Sequence, residues 1–124
     1  MKMNRVAIIC GFLMLAVFSV SANSLERKAE QGDARAQYEL GKRCSDKKNY
    51  RCALVWLQKA GEQGHAGAQN RLGVMYERGE GVMVDLVEAY KWYSLSAAAG
   101  NSFASANRAS LESHLTREQI ASTR

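Results

Sequence analysis

The sequence predicts an all-α chain of short helical units stacked on one another. Three observations predict it. The stretch EQGDARAQYELG at 30–41 returns as EQGHAGAQNRLG at 62–73, thirty-two residues later, with eight of its twelve positions identical. Self-similarity at such a period marks units that cannot bury an apolar face alone and therefore stack on their neighbours. Gly32, Gly64 and Gly100 each close a helix-forming run and precede a short polar residue: Asp33, His65 and Asn101. That order is a left-handed glycine ending one helix, then the cap of the next. Between these glycines apolar residues recur at i, i+3, i+4 and i+7, and the chain contains no proline.

The first segment stands apart from the repeats. Lys2 and Arg5 head an almost unbroken apolar run from Val6 to Val17, and Ser19-Val20-Ser21-Ala22 supplies the small residues a signal peptidase needs. Residues 1–22 are expected to be a cleavable signal peptide that sends the chain to the periplasm or out of the cell. The competing reading is a retained anchor, but the run is short for a span of about 20 residues. No stable membrane anchor is expected after cleavage. The leader removes Lys2 and Arg5 and no acid, so the formal charge of +5 falls to +3 for residues 23–124. So mild an excess is ordinary solubility charge, and nucleic acid is not expected as a partner.

The remaining elements follow in order. Residues 24–32 read as the second helix of an incomplete unit, with Ser24 as its N-cap. Residues 33–64 form a full unit. Its first helix carries Ala36 and Leu40 on one face, and its second carries Ala53, Trp56, Leu57 and Ala60. Cys44 and Cys52 flank the turn between them. In an oxidising compartment an even, closely spaced pair reads as a disulfide clamping a glycine-poor hairpin, the alternative being two buried free thiols. Residues 65–100 repeat the plan with Ala68 and Leu72, then Ala89, Trp92, Tyr93 and Ser96, and their turn is Gly79-Glu80-Gly81. Residues 101–123 supply one further helix and a short last one, opened by the capping box Thr116-Arg117-Glu118-Gln119 with Ile120 as its apolar contact.

The pattern in residues 61–100 resembles the Sel-1-like repeat, a relative of the tetratricopeptide repeat. Gly64, Ala68, Gln69, Leu72, Gly73, Tyr76, Gly79, Gly81-Val82, Asp85, Ala89, Trp92-Tyr93, Ala97-Ala98 and Gly100 carry the resemblance. The unit 33–64 matches at both ends and departs in the middle, where Cys44 to Cys52 replaces the glycine turn. The resemblance implies a short right-handed α-solenoid over residues 23–124 that serves as an exported protein-binding adaptor. Secreted bacterial members imply envelope assembly, host interaction or immunity against a secreted toxic effector. A cysteine-rich branch implies, as the alternative, penicillin binding or weak β-lactamase activity.

Candidate sites are weighed on that frame. Counting outward from the buried Ala36/Leu40/Gly41 and Ala68/Leu72/Gly73 predicts Tyr38, Glu39, Lys42, Asn70, Arg71 and Val74 on a concave partner-binding face. Lys42, Arg43, Lys47, Lys48 and Arg51 surround one hairpin with only Asp46 to offset them. They are either a solvated face or a docking patch for an acidic partner or anionic envelope polymer. Ser45 to Lys48 is formally S-x-x-K, yet the S-D-N and K-T-G partners of that chemistry are absent, and Ser45 is expected on a solvated turn. His65 reads as a helix cap, and neither it nor His114 has a metal-ligand neighbour at suitable spacing. Trp56, Trp92 and Tyr93 lie at core spacing. No cofactor or catalytic group is expected.

Overall fold

The computed structural model describes residues 24–124, which form seven helices and no strand. The expected signal peptide, 1–22, lies outside the described residues. Helix α1 is described over 24–30, and Ser24, expected as its cap, is already helical. There follow α2 (Ala34–Asp46), α3 (Tyr50–Glu62), α4 (Ala66–Arg78), α5 (Leu86–Ala98), α6 (Ser102–Glu112) and α7 (Arg117–Ala121). No described helix is long and apolar enough to cross a membrane.

Helix boundaries are set by capping side chains. Asp33 accepts from the Ala36 amide, Asn49 from Cys52, Asp85 from Val87 and Glu88, and Asn101 from Phe103 and Ala104. Each satisfies amides that the first turn leaves without an intrahelical partner. His65 caps α4 through Nδ1, 3.1 Å from the Ala68 amide. Thr116 and Gln119 close a full capping box at α7. At the other ends, Gly32, Gly64 and Gly100 take φ of +97°, +89° and +95°, which lets the chain reverse between units.

Successive helices pack as antiparallel neighbours: α2 on α3, α3 on α4, α4 on α5 and α5 on α6. The result is an α-solenoid with three connected cores. Ala29, Ala36 and Leu40 meet Leu25 and Trp56 at the start. Ala53, Leu57, Ala60, Ala68, Leu72 and Met75 fill the middle. Ala89, Tyr90, Tyr93, Ala104 and Leu111 close the end, with Leu115 and Ile120 from the α6–α7 turn and α7 laid over them. Leu57 and Leu72 are fully enclosed, each stabilising by about 1.5–3 kcal/mol relative to exposure.

The two mid-helix glycines mark where helices approach most closely. A Cβ on Gly41 would lie 2.6 Å from Leu57 Cγ, and one on Gly73 would run into the ring of Tyr93. Cys44 and Cys52 are joined by a disulfide with Cα atoms 5.8 Å apart, tying the end of α2 to the start of α3.

Candidate partner-binding face

Helices α2, α4 and α6 are the first helices of successive units, and side chains bridge them directly. Tyr38 of α2 stacks on the imidazole of His65 at the head of α4, with ring centroids 4.5 Å apart and planes 25° apart. The same phenol ring lies against Gly67, where a Cβ would come within 3.2 Å of it. Arg71 of α4 donates to the Ser45 hydroxyl of α2 and lies 3.7 Å from the Glu80 carboxylate. Asn107 of α6 donates to Asn70 Oδ1 of α4 at 3.1 Å.

These contacts show where the six face residues predicted from sequence sit. Lys42 is exposed. Tyr38, Asn70 and Arg71 are half-buried and turn sideways into the seams between neighbouring first helices. Val74 packs partly against the terminal core. Glu39 is half-buried and, with Leu25, Lys28, Asp33, Arg35 and Ala36, lines a groove of about 350 Å³ between α1 and α2. The face therefore carries fewer free side chains than outward counting predicts.

One residue supplies what that counting missed. Phe103 on α6 is 77% exposed. It stands one turn before Asn107, whose side chain reaches Asn70, so its ring shares the side of α6 that borders α4. In the repeat register it occupies the slot of Arg35 and Gly67, each the second residue of its helix. Two small residues flank the next turn, Ala106 and Ser110, leaving the aromatic ring as the dominant apolar feature of α6.

The seams also explain the local chemistry. Burial lowers the pKa of His65, and its Nδ1 must stay unprotonated to accept from Ala68. Burial, then the hydrogen bond to Glu77, holds the Tyr93 hydroxyl protonated far above the usual tyrosine range. Ser45 is not on a solvated turn. It lies buried in the last turn of α2 with its hydroxyl committed to Arg71, because α2 continues to Asp46 before the chain reverses. Lys48, the other member of the S-x-x-K spacing, is exposed in the turn beyond. Trp56 and Trp92 are half-buried core neighbours, with Lys59 Nζ 4.8 Å from the Trp56 ring centroid. His114 is exposed, and among the described residues no three potential ligands cluster as a metal site would require. Lys47 is exposed with Lys48 at the α2–α3 turn.

Comparison with known proteins agrees with this architecture. The Sel1 repeat family model matches residues 34–65 and 66–101, the two complete helix pairs. No curated protein matches the chain. Among solved structures, a protective antigen present in uropathogenic Escherichia coli strains, displaying an SLR fold, is 33% identical with a TM-score of 0.76. The match covers 80% of this chain but only 22% of that protein.

Proposed function

The chain belongs to the Sel1 repeat family, and from that premise we propose that it is an exported, non-enzymatic adaptor whose α2–α4–α6 face binds a protein partner. The fold supplies a rigid helical scaffold, and scaffolds of stacked helical hairpins use the extended surface of their first helices for binding. The observation that carries the reading is Phe103. A phenylalanine 77% exposed on a helix is a large apolar anchor left mostly uncovered by the described residues, and interface hot spots are built from aromatic anchors of this kind. Lys42, Arg35 and Glu39 supply charged groups on α2, one of the same set of helices. Immunity against a secreted toxic effector is the specific form of this role that we favour, since such a protein needs an address outside the cytoplasm and a binding face but no chemistry. The buried hydroxyl of Ser45, bonded to a cation rather than to a base, favours binding over acyl transfer.

Paired substitutions test it. Phe103→Asp and Lys42→Glu should each leave the melting temperature within a few degrees of the parent, because neither side chain is buried. Both should weaken capture of the periplasmic partner, Phe103→Asp by about 2 kcal/mol or more as for an interface hot spot. If Phe103→Asp captures the same partner with unchanged affinity, the first-helix face is not the binding surface.

A further inference from the structure

We infer that the hairpin edge of the solenoid, made by the α2–α3 turn and the α4–α5 loop, docks reversibly on an anionic phospholipid surface. The two turns emerge side by side. A Cβ on Gly81 would lie 2.7 Å from Tyr50 Cβ and 3.2 Å from the Tyr50 carbonyl, so the α4–α5 loop rests on the first residue of α3. Arg71 reinforces the pairing, reaching Ser45 near the end of α2 and Glu80 in the α4–α5 loop.

This edge carries an excess of positive charge. Lys47, Lys48 and Arg51 are all exposed, with Lys42 and Arg43 on the preceding helical turn, and none of the five forms an ion pair among the described residues. Asp46 lies among them; Glu80 faces Arg71, and Asp85 caps α5. Lys48 adds a second, independent sign. Its φ is +58°, a left-handed conformation that glycine or asparagine adopts with less strain. A lysine there keeps a cation at the apex of the turn in spite of the backbone cost.

Beside these cations the loop presents Met83 and Val84, 90% and 59% exposed. Two exposed apolar side chains on a loop that rests beside the basic α2–α3 turn fit a bilayer boundary. Phosphate headgroups attract the lysines and arginines, and the apolar pair reaches the headgroup–acyl boundary. A protein partner would need an acidic rim and an apolar pocket both shaped to this edge, whereas an anionic bilayer presents charge and an apolar interior together. This edge adjoins the α2–α4–α6 face at Lys42, but Lys47, Lys48, Arg51, Met83 and Val84 lie outside the residues placed on that face, so the inference does not depend on the partner proposed above.

Co-sedimentation of the chain from residue 23, which contains every described helix, separates the outcomes. The probes are vesicles of phosphatidylglycerol mixed with phosphatidylcholine, and vesicles of phosphatidylcholine alone. Binding is expected only to the mixed vesicles and should fall steeply as salt is raised. Lys47→Glu, Lys48→Glu and Arg51→Glu together should lower partitioning by about 100-fold or more, from roughly fivefold per basic residue. Met83→Ser with Val84→Ser should weaken vesicle binding several-fold while leaving binding to soluble heparin unchanged. Arg35→Glu with Lys59→Glu, away from the edge, should leave partitioning intact, and circular dichroism should report a folded protein throughout. The inference is overturned if anionic vesicles pellet no more protein than neutral ones, or if the triple reversal binds as the parent does. It is equally overturned if the Met83/Val84 variant keeps full vesicle binding, which would make the edge a collector of acidic macromolecules instead.

Discussion

Gly73 shows how a single residue reports on packing. In an exposed helix its replacement by alanine would gain about 1 kcal/mol of helix propensity. Here the added methyl would meet the ring of Tyr93, which is wholly buried and hydrogen-bonded to Glu77. Overpacking of this kind costs about 1–3 kcal/mol, so Gly73→Ala should lower the melting temperature, and Gly73→Leu should lower it much further. Thermal unfolding of both variants checks this; a Gly73→Ala protein that melts higher than the parent would mean that α4 and α5 are not in contact here. A second residue-scale prediction comes from an asymmetry between the units. Gln37 donates to the Ala29 carbonyl and accepts from Gln63, whereas Gln69 donates to the Gly61 carbonyl and its Oε1, though buried, has no partner among the described residues. Ala99 stands where the second unit would place the missing donor, immediately before Gly100 as Gln63 precedes Gly64. An unpaired buried acceptor costs about 1–3 kcal/mol. Ala99→Gln should therefore raise the melting temperature, and Gln63→Ala should lower it by exposing the same deficit in the first unit.

At the scale of elements, the α2–α3 hairpin departs most from the repeat pattern. It lacks the paired glycines of the α4–α5 loop and substitutes the Cys44–Cys52 crosslink, eight residues apart. In the chain-entropy picture so short a loop is stabilised by about 2–3 kcal/mol. Cys44→Ser should lower the melting temperature by roughly 10 °C, at about 4–8 °C per kcal/mol for a domain of this size. Alkylation and mass spectrometry of the native protein should find no free thiol at either position. Most of this element-level organisation was legible beforehand, because caps, left-handed glycines and i, i+4 apolar spacing are local signals. What was not legible depends on partners far along the chain. Asn70 faces a seam because Asn107 lies across it, thirty-seven residues away, and Arg71 turns inward to Ser45 across twenty-six. Helical periodicity separates buried from unburied faces, but it does not tell a side chain reaching a neighbouring helix from one reaching solvent. Phe103 escaped for the opposite reason: its slot holds Arg35 and Gly67 in the other units, so the repeat pattern gives no sign of an aromatic there.

At the scale of the molecule, the described residues form two complete units between a single helix and a helical cap. Stability in such stacks grows with each interface. Binding a partner on the α2–α4–α6 face would add an interface and raise the melting temperature by mass action. The claim on which everything else turns is that this face, and not the outer surface of α3 and α5, meets the partner. Site-specific photo-crosslinking in the producing cells measures it directly. A benzophenone side chain is placed at Phe103 in one protein and, in another, at Val55 of α3, which is 51% exposed. The account predicts a discrete heavier adduct from position 103 and none from position 55. An adduct from position 55, with position 103 remaining uncrosslinked, would contradict it.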